Sequence, residues 1–211
     1  MFVVRSHRIY ISQNKITVPV KWTAKKCSIV EYEAETGGLH TVSMHFFQED
    51  LLKRGFRKMN SIPLARVDTY QRCAAILVYG KYLAILPFRR SHVAGPGSAK
   101  SHAVSSFMIN IEDLPRKMAS IIDFQFLDGY NDPTLVILYE SLPTWTGRIN
   151  DRQDTCGIIA LSVNLLDHSH PVIWQVSALP YDCCACYAVP KPLGGLMVYA
   201  ANSMIYLDQS G

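Results

Sequence analysis

The chain has 211 residues, 49% hydrophobic and 18% charged, with a formal net charge of +4. That is the composition of a folded domain, or of a piece of a larger repeat array, and it excludes a disordered tail. No run of 18 apolar residues occurs and the start MFVVRSHRIYIS is a poor secretory signal, so neither a membrane span nor export is expected.

Six cysteines in this length are too sparse for a disulfide framework and suit a reducing compartment. The charge is unevenly spread. Residues 1–120 carry 18 Lys and Arg against 8 Asp and Glu, whereas residues 121–211 carry 3 against 9. A basic half attracts phosphates, and equally an acidic protein partner.

In chain order, CSIVEY and HTVSMHFF (27–47) read as the back half of one strand unit. EDLLKRGFRKM (49–59) is compatible with a helical turn or two, as is EDLPRKM (112–118). Then comes a hairpin-like stretch, CAAILVYGKYLAILPFRR (73–90), apolar on both sides of Gly80-Lys81 and ending on Arg89-Arg90. This stretch recurs. AILVYG, LVILYE and GLMVYA place Tyr79, Tyr139 and Tyr199 at intervals of 60 residues, and Asp68, Asp123 and Asp182 precede them in extended segments. Third runs follow at 82–88, 157–164 and 203–208, and fourth runs at 105–111 and 171–177.

Short strands rich in Val, Ile, Tyr and Phe, bounded by Gly, Pro, Asn and Asp, read as four-stranded meanders. Continuous apolar runs imply strands buried on both faces, which one small sheet cannot achieve alone. Stacked around an axis, such sheets become propeller blades. A β-sandwich is the alternative, and the recurrence favours the propeller. The expected fold is therefore all-β: a partial β-propeller of four-stranded antiparallel blades, about three blades' worth and not closed. Sheets are expected at about 64–111 and 120–177, with Ile76, Leu77, Val78, Ile137, Leu138 and Val198 filling the spaces between blades. Uncovered blade faces should make the isolated chain self-associate.

The segments VEYEAETGGLHTVSMHFFQED, RCAAILVYG, LAILPFRR, IIDFQFLDGY, PTLVILYE, RQDTCGIIALSVN, HPVIWQVSALPYDC and AVPKPLGGLMVYAANSMIYL closely resemble one known family. It is that of the large subunit of the cleavage and polyadenylation specificity factor, which shares its build with the large subunit of the damaged-DNA-binding complex. The resemblance runs from about Cys27 to Ser210 and falls in the first of the family's three propellers. It divides the chain into a divergent N-terminal segment, 1–26, and a partial first propeller, 27–211. It implies a non-enzymatic scaffold in the nucleus, working in pre-messenger-RNA 3′-end processing. The implied partners are other subunits of the cleavage and polyadenylation complex, which read the AAUAAA signal, and pre-mRNA directly or through them. No cofactor, metal, membrane or small-molecule substrate is implied.

Other motifs carry less. Cys183, Cys184 and Cys186 in DCCAC lack the second knuckle that zinc needs, and in an ideal strand Cys184 and Cys186 share one face while Cys183 faces the other. His168 and His170 read as a polar turn, GPGSAKS (95–101) as a linker without the phosphate-loop pattern, and DRQDTC (151–156) as a turn. The basic clusters are the candidate nucleic-acid or partner contacts. Lys53, Arg54, Arg57 and Lys58 lie on one side of a possible short helix, and Arg89 and Arg90 end a strand. Such groups hold phosphate oxygens without reading sequence. Direct RNA or DNA binding through them is the alternative to the scaffold role.

Overall fold

The computed structural model describes residues 3–4, 7–8, 17–23, 26–33, 37–47, 50–53, 64–88 and 105–208. It divides into two compact units, Met1–Met59 and Asn60–Gly211. In the first unit, β1 (Val3–Val4) pairs antiparallel with β2 (His7–Arg8). Then β3 (Thr17–Thr23), β4 (Lys26–Glu33) and β5 (Gly38–Phe46) form an antiparallel sheet in that order. A single helical turn, Asp50–Lys53, follows. The sequence anticipates β4 and β5 but not β3. Pro19 demotes that segment as a strand, yet β3 is the edge strand of this sheet, and proline is tolerated on an edge strand.

The second unit holds three successive sheets, each a meander. Sheet I is β6 (Ala65–Val67), β7 (Cys73–Val78), β8 (Tyr82–Pro87) and β9 (Phe107–Asn110). Sheet II is β10 (Ser120–Leu127), β11 (Thr134–Glu140), β12 (Cys156–Ser162) and β13 (Val172–Leu179). Sheet III is β14 (Cys183–Ala188), β15 (Leu196–Ala200) and β16 (Met204–Leu207). The two complete meanders thus stand where the apolar runs place them. Of the two possible helices, 112–118 contributes only the end of a 3-10 turn at Ile111–Asp113, with the Asn110 side chain accepting from the Glu112 N–H.

The opening of sheet I shows how the sequence sets the geometry. Tyr79 and Gly80 both have positive φ, and the Lys81 N–H closes the turn on the Val78 carbonyl at 3.2 Å. Positive φ at both central residues gives this tight turn a twist that matches the flanking strands. Tyr79, Gly80 and Lys81 lie between the paired Val78 and Tyr82, and every residue of β7 is buried, as are Leu83–Leu86 of β8. Burying each Leu or Ile of such strands contributes about 1.5–3 kcal/mol.

The sheets lie face to face. Strand β10 packs beside β6 and beside β14, so the first strands of successive sheets are neighbours. Val136 and Leu138 of β11, Ile158 and Ala160 of β12 and Trp174 of β13 share one buried cluster with Cys186, Leu196 and Val198 of sheet III. A bulge between Cys156 and Ile158 centres on Gly157. A Cβ there would come within 2.8 Å of the Tyr139 hydroxyl, so the close approach requires glycine.

The 60-residue tyrosines are not structural equivalents. Tyr79 sits in a turn, Tyr139 is 3% exposed inside β11, and Tyr199 in β15 is 36% exposed. The strand starts at Cys73, Thr134 and Leu196 carry the repeat, with slightly longer intervals.

Candidate functional site

Polar seams join each sheet to the next. In β10, Asp123 is buried and its carboxylate receives the Arg66 guanidinium from β6 at 2.7 Å. The same carboxylate accepts the Phe124 N–H at 2.9 Å and, from sheet III, the Cys186 N–H at 3.2 Å. One side chain thereby links three sheets. Its charge is tolerated because a guanidinium and two amides satisfy it.

A second seam runs at the loop ends. Asp68 is buried and holds Arg72 through Nε at 2.7 Å and Nη2 at 2.9 Å, a two-point fork. Arg72 then donates to the carbonyls of Tyr130 and Asn131 in the β10–β11 turn. From that turn, Asp128 accepts the Lys191 N–H of sheet III at 3.0 Å. This bond, with help from the Tyr70 hydroxyl, holds the Asp128 carboxyl below its usual range. Arg72 and Asp128 thus do for neighbouring sheets what Arg66 and Asp123 do closer to the first strands.

Sheet III differs in having one covered and one open face. Leu196 and Val198 are buried against sheet II, while Met204 is 69%, Tyr187 56% and Tyr206 39% exposed. The register Tyr187↔Met197↔Tyr206 and Tyr199↔Met204 puts these residues with Tyr199 on one surface. Tyr187 and Tyr199 meet edge to face, with ring centroids 5.4 Å apart. This corrects the expectation that every apolar run is buried on both sides. The alternation in β16, Met204 and Tyr206 out with Ile205 and Leu207 inward, was the available signal. A flat surface of large amphipathic rings is suited to covering by another protein element. The β11–β12 connection presents a smaller surface, where exposed Trp145 carries the Arg148 guanidinium 5.0 Å from its ring centroid.

The candidate basic residues are placed less fully. Lys53 ends the helical turn, but its side chain lies outside the described residues, as do Arg54, Arg57, Lys58, Arg89 and Arg90 altogether. The linker GPGSAKS lies outside them too.

DCCAC departs from the expected alternation. A bulge between Cys183 and Ala185 puts Cys183 and Cys186 together in the core, and leaves Cys184 exposed. Burial pushes the Cys186 and Cys73 thiols well up. His168 adopts positive φ and stacks on Phe107 at 4.3 Å, and the His170 ring contacts the His168 carbonyl at 3.3 Å. That pair therefore shapes a turn and reaches across to β9. DRQDTC is a turn as well, with the Gln153 carbonyl accepting the Tyr181 N–H at 2.8 Å. Among the described residues no group of three or more His, Cys, Asp or Glu is placed to hold a metal ion.

Comparison with known proteins agrees with this architecture. The family model described as the RSE1/DDB1/CPSF1 first β-propeller matches residues 22–211. The chain is 40% identical over 200 residues to the cleavage and polyadenylation specificity factor subunit 1 of Drosophila melanogaster, covering 88% of this chain and 14% of that protein. It is 40% identical over 185 residues to the probable subunit 1 of Caenorhabditis elegans, covering 88% of this chain and 12% of the relative. The Arabidopsis thaliana subunit 1 is 36% identical over 211 residues, covering 94% and 14%. The chain therefore spans only about one-seventh of the length of these relatives. Its successive antiparallel sheets, each bound to the next through its first strand, are blades of a partial β-propeller, and the chain belongs to the RSE1/DDB1/CPSF1 first β-propeller family.

Proposed function

We propose that this chain is a non-enzymatic scaffold element of the nuclear pre-mRNA 3′-end cleavage and polyadenylation machinery. It assembles partner subunits that recognise the AAUAAA signal. The family match over residues 22–211 carries the reading, together with the names of the relatives. The architecture supports it. Buried ion pairs and amides are spent on fixing one sheet against the next, and the tyrosine- and methionine-rich face of sheet III is of the kind that other protein elements cover. In this reading residues 27–211 are the propeller portion and residues 1–26 a divergent N-terminal segment, although β3 within it pairs with β4 and the family match begins at residue 22.

The test is co-purification of the tagged chain from nuclear extract, with and without nuclease. In parallel, binding of AAUAAA-containing and scrambled RNA is measured across a salt series. Nuclease-resistant recovery of polyadenylation subunits with weak, sequence-blind RNA binding supports the scaffold. The basic first half of the chain favours one other reading, direct phosphate contact through Lys53, Arg54, Arg57, Lys58, Arg89 and Arg90. Strong salt-dependent RNA binding without protein recovery would replace the scaffold by that reading.

A further inference from the structure

The connection from sheet I to sheet II, the end of β11 and the facing ends of β12 and β13 line a cleft of about 460 Å³. Its shape has a local origin. Between β12 and β13 the register passes from Cys156↔Leu179 to Ile158↔Val176, so Gly157 stands opposite two residues, Ser177 and Ala178. Ala178 takes a φ of 61°, uncommon for a residue with a Cβ, and such outliers gather where a fold shapes a binding site. The glycine opposite leaves room for the Tyr139 hydroxyl to end beside the bulge.

Tyr139 lines this cleft although it is only 3% exposed, and among the described residues its hydroxyl has no hydrogen-bond partner. A shielded hydroxyl left in that state costs free energy until an acceptor reaches it. Burial pushes its pKa up and nearby Arg116 opposes that, so the hydroxyl keeps its proton at neutral pH beside a guanidinium. Arg116 is held in position by its Nε, which donates to Gln175 Oε1 of β13 at 3.1 Å. Its two terminal nitrogens have no partner among the described residues. Lys117 adds a second cation to the lining. The neighbouring carboxylate, Glu140, is engaged elsewhere, accepting from the Ser120 hydroxyl at 3.4 Å and the Thr144 N–H at 3.3 Å.

We infer that this cleft docks an acidic segment of a partner protein, one carboxylate taking the Arg116 guanidinium and the Tyr139 hydroxyl while a flanking apolar side chain covers Leu142. Charge complementarity selects the carboxylate, since two cations and a protonated hydroxyl offer donors and no acceptor is left to match. The apolar part of the lining, Pro115, Leu142 and Ala178, selects a peptide that carries an aliphatic residue next to the acid. An RNA phosphate would meet the same cations, but a base would find no ring to stack on, because that of Tyr139 is buried. The cleft shares no residue with the open face of sheet III, so it is a second contact surface and does not depend on the scaffold reading.

The full chain is titrated with the blocked tripeptide acetyl-Leu-Glu-photoleucine amide, irradiated, and the cross-links are mapped by mass spectrometry. Saturable labelling is expected at Leu142, Ser177 and Ala178, and the same peptide with glutamine in place of glutamate should label about tenfold more weakly. Tyr139→Phe and Arg116→Gln should each raise the half-saturating concentration by about five- to tenfold, and Lys117→Gln by less. Melting curves check that the variants fold, and the glutamate–glutamine comparison on the unaltered chain decides even where one does not. Equal labelling by the glutamine peptide would overturn the inference, as would folded Tyr139→Phe and Arg116→Gln chains that label like the unaltered one. Labelling confined to residues outside the cleft, or none up to about 10 mM peptide, would overturn it too. Displacement of the peptide by micromolar oligouridylate would give the cleft to RNA instead.

Discussion

Replacing Asp123 by alanine should destabilise the second unit more than any other single polar substitution in it. The carboxylate holds one guanidinium and two backbone amides, and the pair is well shielded, with side-chain exposures of 7% for Asp123 and 18% for Arg66. Removing one partner of a buried ion pair typically costs about 3–5 kcal/mol, because the survivor stays buried without its counter-charge. Arg66 keeps a bond to the Ala65 carbonyl at 3.1 Å and a position 6.0 Å from the Phe124 ring centroid, which argues for the lower end, about 3 kcal/mol. In a unit of this size each kcal/mol moves the melting temperature by about 2–4 °C, so a drop of about 6–12 °C is expected. Arg66→Ala should cost less, about 2 kcal/mol, since Asp123 keeps its two amides. Urea denaturation of both single variants and the double variant gives the coupling directly. If Asp123→Ala costs under about 0.5 kcal/mol, like an ordinary surface change, or if the two substitutions are additive, the seam is not what holds the sheets together.

Leu138→Ala, within the cluster shared by sheets II and III, should cost about 2–5 kcal/mol in the same denaturation assay. Gly157→Ala forces a methyl against the Tyr139 hydroxyl and should cost about 1–3 kcal/mol, less if Tyr139 is shortened to Phe as well. The folded-state carboxyl of Asp128 is depressed, so its bond to Lys191 stabilises the fold above the ordinary carboxylate range and is lost as pH falls through the depressed value. Asp128→Asn should therefore flatten the acid limb of a pH–melting profile. Reversing the charges of Lys53, Arg54, Arg57 and Lys58 together should weaken partner or RNA association with folding intact. If RNA is the ligand, the salt slope should become shallower by about 0.7 per lost contact. The chain should bind hydrophobic dye and self-associate in light scattering, and Tyr187→Ser with Met204→Lys should reduce both. A dye-silent monomer would mean the open face of sheet III is not sticky.

The strands were legible because continuous Val, Ile and Leu runs such as LVILY have no other way to be buried at that length. What the runs could not reveal was which face each residue takes once a bulge intervenes. Cys183 and Cys186 are three apart and share the core only because the register slips between Cys183 and Ala185. The tyrosine spacing misled for a related reason: sheet I makes a tight turn at Tyr79 where sheet II has a long connection, so equal intervals mark unequal places. The inter-sheet seams were half legible. Asp68 and Asp123 stood out as aspartates in extended segments ahead of each hairpin, but their partners Arg72, Arg66 and the Cys186 amide depend on how the chain folds. Basic clusters are visible in any sequence, yet composition alone does not say what faces them.

The two faces of sheet III have a consequence for how the unit comes apart. Among the described residues of the second unit, the bonds between sheets join immediate neighbours, so cohesion behaves like a row of couplings rather than a single core. Sheet II is flanked on both sides, and its strands β11 and β12 are buried along nearly their whole length. Among the described residues of this unit, sheet III is held by sheet II on one face, and its other face carries exposed Tyr187, Met204 and Tyr206. Opening should therefore begin at β16 and travel inward, with backbone amides of β15 and β16 exchanging with solvent long before those of β11 and β12. Whatever settles on Tyr187, Tyr199, Met204 and Tyr206 would then act as a clasp, slowing that exchange by covering the last link.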